Sequence, residues 1–412
     1  MDKHKYRELK TQKQFLKLFF ADIISRFGDS LDTIAYSWII YEITGSSALM
    51  ALIVGLNYIP TVIIMPFAGT IVDILPKKIV MCISDVLRFI IVSAIIILYI
   101  TNSLNVGVLV IATLLTSTVE AFRVPASASI LTMLLDKNFY KLGKGASYSS
   151  QRTAELIGFI LSGSIIATFG VATALKIDAI TFLLSTIIIA TIKYTDVYTK
   201  MEITVTKVIS NFKVGVSFFK NNHSLKILLL LGVFVNVGSM SLGVFQTPYV
   251  AEHMQMEEEA LSYIKIAMTI GMMIGAFIVP KIRKLKNSSF ASISGILMGI
   301  TIFSLGILPL FEKNILVISL ILVGMFSMGF CGGMLNVVVS SSFMKIIPQN
   351  IMGRVLSVVS SLMTISLPLT SFLCSLLAIK LEITTILIIF GVIATILHLL
   401  LLFSKKLKII NN

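Results

Sequence analysis

Eight carboxylates sit in or at the ends of long apolar stretches of this sequence: Asp22, Asp29, Asp32, Glu42, Asp85, Glu120, Glu155 and Asp178. All fall in the first half of the chain, with five of the six bases found in such stretches, Arg26, Arg88, Arg123, Arg152 and Lys176; Lys265 is the exception. A charge near the centre of a bilayer costs at least about 2.5–3.5 kcal/mol, so these residues should face protein or a water-filled cavity and pair with one another. Desolvation pushes a carboxylate toward its neutral form and a nearby Arg toward its charged form, so such a group takes up or releases a proton as its surroundings change. A proton-coupling site requires that behaviour.

Helical spacing suggests the pairs. Asp22, Arg26 and Asp29 follow i, i+4, i+7 and share one helix face. Asp85 and Arg88 are spaced i, i+3, as are Glu120 with Arg123 and Arg152 with Glu155, the last two pairs lying on stretches joined by a short turn. A four-member network across that antiparallel hairpin is therefore expected, with Glu155 as leading titrating group and Arg123 as its partner. Asp22/Arg26 and Asp85/Arg88 lie nearer the membrane surface and stand equally as ion pairs that stitch helices together. Asp32 and Asp178 complete the proton-coupling candidates. Asn57, Tyr58, Asn236, Gln246, Tyr249 and Asn336 are polar groups suited to lining a substrate cavity, although such residues more often make helix–helix hydrogen bonds.

The elements that must hold these groups are about twelve apolar stretches, each long enough to cross a hydrocarbon core of about 30 Å as a helix. They run roughly over 18–43, 48–72, 79–101, 106–134, 145–168, 172–193, 225–250, 260–280, 288–310, 315–345, 352–378 and 384–403. Of 34 Lys and Arg residues, twenty-six lie in the two tails and in every second gap, whereas the intervening gaps hold only Lys313 and Lys380. By the positive-inside rule both termini are cytoplasmic and the chain is a multi-pass protein of the cell membrane. The composition, 56% hydrophobic and 13% charged, excludes a soluble domain of this length.

The net charge of +14 is dispersed over short loops without a polar aromatic-rich domain, which argues against nucleic acid and for contact with anionic lipid. Cys82, Cys331 and Cys374 all fall within spans, where a disulfide framework is not expected. His4, His223, His253 and His398 are scattered, no metal or nucleophile constellation is visible, and no Walker A loop is present. No cofactor, metal or catalytic residue is therefore expected, and the chain is not read as an enzyme. The largest gap divides it into a first bundle at 1–194, a central cytoplasmic loop at 195–224 and a second bundle at 225–412. Within that loop Val208, Ile209, Phe212, Val216 and Phe219 alternate with Lys207, Lys213 and Lys220 as in a short helix lying in the membrane interface.

Gly69-x-x-x-Asp73 followed by Lys77-Lys78 resembles the loop signature of the major facilitator superfamily, with Pro76 in place of its second glycine. Phe27-Gly28-Asp29, Trp38-x-x-Tyr41-x-x-Thr44-Gly45-Ser46, Arg123-Val-Pro125-Ala126 and Ile177-Asp178-Ala179-x-x-Phe182-Leu183-Leu184 resemble the branch that holds macrolide efflux pumps and the enterobactin exporter. The antiporter stretch of that branch is represented only by Gly158 and Gly163, with Phe159 where proline is usual. The resemblance implies an all-α fold of twelve transmembrane helices in two six-helix bundles. It also implies export of a hydrophobic or amphipathic small molecule by proton antiport and alternating access; the alternative is a dedicated exporter of a siderophore or lysolipid. Small-molecule substrate, protons and membrane lipid are the expected partners, and the expected state is a monomer. Gly69, Asp73, Lys77, Lys78 and Arg354 form the expected gate, with Asp73 at the start of the third helix latching to Arg354.

The charge pattern makes one direct prediction. Cysteines introduced at Ser46 and Glu258 are expected to react with a membrane-impermeant reagent in intact cells; labelling only after permeabilisation would reverse the orientation.

Overall fold

A computed structural model of the chain describes residues 9, 11–136, 139–193, 205–279, 287–348 and 351–403. The chain is helical throughout this region, as lipid demands of backbone groups that find no water to bond. The helices are α1 (Lys13–Thr44), α2 (Ser47–Ile74), α3 (Lys77–Ile100), α4 (Val106–Leu134), α5 (Tyr140–Phe169), α6 (Val171–Ala190) and α7 (Val205–Asn221). They continue as α8 (His223–Gly243), α9 (Glu259–Ile278), α10 (Asn287–Ile307), α11 (Ile315–Ile346), α12 (Met352–Ala378) and α13 (Ile383–Phe403). Twelve of them are membrane spans. Eleven qualify on length and apolarity alone. The twelfth is α1, whose Asp22, Arg26, Asp29 and Asp32 lower its apolarity and place the charge network inside the protein.

Local chemistry sets several boundaries. Asn105, Asn222 and Asn314 each accept a backbone N–H three residues on and so cap α4, α8 and α11. Gly170, at φ +78°, supplies the left-handed turn between α5 and α6. The seventh apolar stretch, expected to run unbroken to 250, ends as an α-helix at Gly243. A short turn at Gln246–Pro248 and a π-helical turn at Tyr249–Met254 follow, because Pro248 withdraws a backbone donor. The amphipathic stretch in the central loop is helical as α7, which packs against α8 and α12.

The chain forms two compact units, Met1–Ile43 with Ile59–Thr204 and Thr44–Tyr58 with Val205–Asn412. The first turns of α2 thus group with the second unit, unlike the division at 194 read from sequence. There Ser375 Oγ donates to the Ala48 carbonyl at 2.8 Å, and the Ser371 hydroxyl donates to the Ala51 carbonyl. Within the first unit α3 packs on α6; within the second α10 packs on α13. Third and sixth spans are therefore neighbours in both halves, as an internal repeat leaves them.

Small residues permit the closest packing in the second unit. A methyl group on Gly275 of α9 would lie 2.1 Å from the Phe330 carbonyl of α11, and one on Gly271 would lie 2.1 Å from the Phe326 carbonyl. Without a side chain the two backbones touch, which is how helices associate in lipid. Gly275→Ala is therefore expected to cost about 1–3 kcal/mol. Gly332→Ala, where nothing lies within 4 Å, should change little. Thermal unfolding of the two variants in detergent should separate them; equal melting temperatures would refute this packing.

Candidate functional site: a charge network inside the first unit

The charged residues of the first unit pair across helices. Asp85 of α3 is fully buried and holds Arg123 of α4 through both carboxylate oxygens, the second at 3.4 Å, while Ser185 Oγ of α6 donates to it at 2.7 Å. Arg123 also faces Asp22 of α1 at 3.7 Å, and Ser127 Oγ and Gln151 Nε2 donate to Asp22 at 3.4 and 3.5 Å. This layer joins α1, α3, α4, α5 and α6. Further along α1, Arg88 of α3 donates to Asp29 at 2.6 Å, and Arg26 approaches the other Asp29 oxygen at 3.7 Å. The Arg88 guanidinium lies 4.2 Å from the ring centre of Phe182, which adds a cation–π contact to its burial.

These pairings revise the expected ones. Asp85 and Arg88 do not pair along α3: each group turns to a charge on a neighbouring helix. Arg123 is engaged by Asp85 and Asp22 and not by Glu155 or Glu120. Glu155 instead pairs along α5 with Arg152 at 2.6 Å, and Arg152 lies 5.3 Å from the exposed Tyr148 ring. The expected four-member network across the α4–α5 hairpin thus resolves into one local pair on α5 and a cross-helix cluster centred on Arg123. Arg26 with Asp29 does follow the shared α1 face.

Asp32, Glu120 and Asp178 form no ion pair among the described residues. Asp32 and Glu120 are partly exposed, on α1 and α4. Asp178 is wholly buried on α6, and neither of its oxygens meets a hydrogen-bond donor. It presses on α1 where Gly28 leaves room; a methyl group on Gly28 would lie 2.5 Å from its Oδ1. Ser185 escaped the sequence reading, although it stands at i+7 from Asp178 and shares its helix face with Phe182 at i+4.

The remaining candidates are dispersed. Asn236 Nδ2 donates to the Met363 carbonyl at 3.0 Å, tying α8 to α12. Tyr249 is fully buried with its hydroxyl on the Leu305 carbonyl at 2.7 Å, and Gln246 is buried with Nε2 on Met268 Sδ at 3.0 Å. These three make helix–helix contacts; Asn57 and Asn336 are exposed and Tyr58 half-buried. Gly69 and Asp73 lie in the last turns of α2, not at the start of α3, because Pro76 ends the turn and precedes Lys77 at the first position of α3. Lys77 is buried, and Lys78 Nζ donates to the Ile192 carbonyl at 2.9 Å. The side chains of Asp73 and Arg354 lie outside the described residues, and with them the expected latch.

A twelve-span all-helical chain with most of its intramembrane charges in one unit has clear relatives. Residues 9–412 match the family described as transmembrane secretion effectors. The chain belongs to that family of the major facilitator superfamily. It is 21% identical over 379 residues to macrolide efflux protein A of Streptococcus pyogenes, covering 92% of this chain and 91% of that protein. It is 24% identical over 378 residues to the uncharacterised transporter YkuC of Bacillus subtilis, covering 89% and 85% respectively. With the multidrug efflux pump Tap of Mycolicibacterium fortuitum it shares 21% over 379 residues, 88% of each chain. Among solved structures the nucleoside transporter NupG superposes with a TM-score of 0.73 at 13% identity, covering 95% of this chain and all of that one. A bacterial homolog of the human lysosomal transporter Spinster, inward-facing and unoccupied, gives 0.70 at 12% identity, covering 100% and 99%. These structures share the major facilitator fold.

The two kinds of pair should differ in cost. Removing Arg123 strands the buried Asp85 and is expected to lower stability by about 3–5 kcal/mol. Arg152→Ala breaks a pair whose Arg side chain is 37% exposed and should cost no more than about 1 kcal/mol. Fluorescence-detected size exclusion after a heat step should show Arg123→Ala lost first, with Asp85→Asn/Arg123→Met restoring much of the loss. Equal tolerance of the two single variants would contradict this network.

Proposed function

We propose that this transporter exports hydrophobic or amphipathic small molecules from the cytoplasm across the cell membrane by proton antiport and alternating access. One observation carries the coupling: the first unit pairs the carboxylates Asp22, Asp29 and Asp85 with the guanidiniums Arg26, Arg88 and Arg123, and holds on the same helices Asp32, Glu120 and Asp178, which form no ion pair among the described residues. Acids outnumber bases, and an ion left uncompensated inside a membrane protein is costly. The surplus is neutralised by protons, or by a positive charge that displaces them.

Asp32 and Glu120 are the groups best placed to exchange those protons, being partly exposed and free of ion pairs among the described residues. Asp29, held by Arg88 and Arg26, and Asp178 behind it are the next candidates. Glu155 falls below them, since Arg152 already compensates it near the surface of α5. The similarity to macrolide and multidrug efflux proteins supports efflux and an apolar substrate class. Protonation of the network favours one orientation of the alternating cycle, and its loss the other.

In everted vesicles with an acidified lumen, the protein is expected to accumulate substrate from a panel of macrolides, dyes and siderophores, and to stop when the pH gradient is collapsed. Asp32→Asn, which fixes the neutral form, should abolish uphill accumulation and retain substrate exchange. Accumulation that survives collapse of the gradient would overturn proton antiport. Normal gradient-driven uptake by Asp32→Asn would remove that residue from the coupling path.

A further inference from the structure

Two buried polar groups of the first unit are left unused by the pairing described above, and they lie on facing helices. Both oxygens of Asp178 lack a donor, and Asp178 is wholly buried. Nε of Arg88 is buried and lacks an acceptor, although the same guanidinium donates through a terminal nitrogen to Asp29 at 2.6 Å. The Arg88 guanidinium sits 4.2 Å from the ring centre of Phe182, which is i+4 from Asp178 on α6 and therefore one turn along the same face. Asp178 itself abuts Gly28, the residue before Asp29.

We propose that Arg88 is a two-position switch that exchanges carboxylate partners, Asp29 in the state described and Asp178 in the alternate one, with the proton held by whichever carboxyl Arg88 has left. An ionised carboxylate with no donor is far costlier inside a protein than a neutral carboxyl, so Asp178 carries the proton while Arg88 holds Asp29. When the guanidinium moves to Asp178, one O–H bond breaks there and one forms at Asp29. No other reactant is consumed, and the net charge of the cluster is unchanged. In each arrangement Arg88 keeps one ionised partner and one acid stays neutral, the two discrete positions that a switching element requires. The planar fork of an Arg can serve either carboxylate; a Lys ammonium would offer no such geometry.

The remaining charges around the pair frame the exchange. Asp29 and Asp32 face it from α1, Asp85 shares α3 with Arg88, and Glu120 acts from α4. Arg26 holds the second Asp29 oxygen at 3.7 Å and keeps that carboxylate ionised when Arg88 is present. The Asp29 side chain is 18% exposed, whereas Asp178 has no exposure, so the switch carries a proton between an occluded carboxyl and an accessible one. Its role in transport rests on the proton-antiport reading; the exchange itself does not.

Infrared difference spectroscopy of the purified protein in lipid nanodiscs reads the proton directly, through the carbonyl stretch of a neutral carboxyl and its shift in heavy water. The wild-type protein is expected to show a protonated-carboxyl band that Asp178→Asn removes. Asp29→Asn takes away the first partner of Arg88, so Arg88 moves to Asp178, and the same band is expected to vanish although Asp178 is intact. Asp29→Ser, which removes the same acceptor with a different side chain, is read in parallel, and either folded variant decides. A wild-type band unaffected by Asp178→Asn, or an Asp178 band that persists without Asp29, overturns the switch. If both bands behave as expected while wild-type export ignores a pH gradient, the switch stands and the antiport reading falls.

Discussion

The first unit depends on the cost of holding ions away from water. Asp85, fully buried between α3, α4 and α6, would be intolerable as a lone anion; Arg123 and the Ser185 hydroxyl make it tolerable. In doing so they fix the relative placement of three helices, and Arg123 extends the constraint to α1 through Asp22. Arg88 and Asp29 repeat the device further along α1. The second unit has nothing comparable among its described residues. It is held by close glycine contacts, such as Gly271 and Gly275 of α9 against α11, and by single hydrogen bonds such as Asn236 to Met363.

That asymmetry gives the halves different work. A unit packed by backbone contact and apolar side chains has few ways to respond to a proton. A unit whose helices are tied by charge does respond, because protonating one member releases its partner to another. The surplus of carboxylates over guanidiniums makes such a release available at moderate cost, and the proposed coupling places it at Asp32, Glu120 and Asp178, which form no ion pair among the described residues. The proposed export by proton antiport joins that chemistry to the major facilitator fold.

Much of this was legible in the sequence, and the failures have a common cause. Spans show in residue order because lipid imposes length and apolarity on each helix separately, and α7 shows because its apolar residues recur with the helical period. The charged residues were visible for the same reason: each is conspicuous in its own helix. Their partners were not, since i, i+3 spacing reports only what a residue meets on its own helix. Asp85 and Arg88 illustrate the point, both reaching across to other elements. Tyr249 was read as a polar group open to a cavity, but its hydroxyl is satisfied by the Leu305 carbonyl, a contact 56 residues away in the chain. Asp73 was placed one turn too late because the break at Pro76, and not the charge, sets where α3 begins.

The central claim is that substrate and protons move in opposite directions through one cycle, and the reverse flux tests it most directly. Proteoliposomes loaded with an exported compound and diluted into substrate-free buffer, without any imposed pH gradient, should show protons moving against the direction of substrate efflux, in fixed ratio to it. A pH-sensitive dye and the substrate itself report the two fluxes at once. Substrate efflux through the purified protein with no accompanying proton movement would contradict the account.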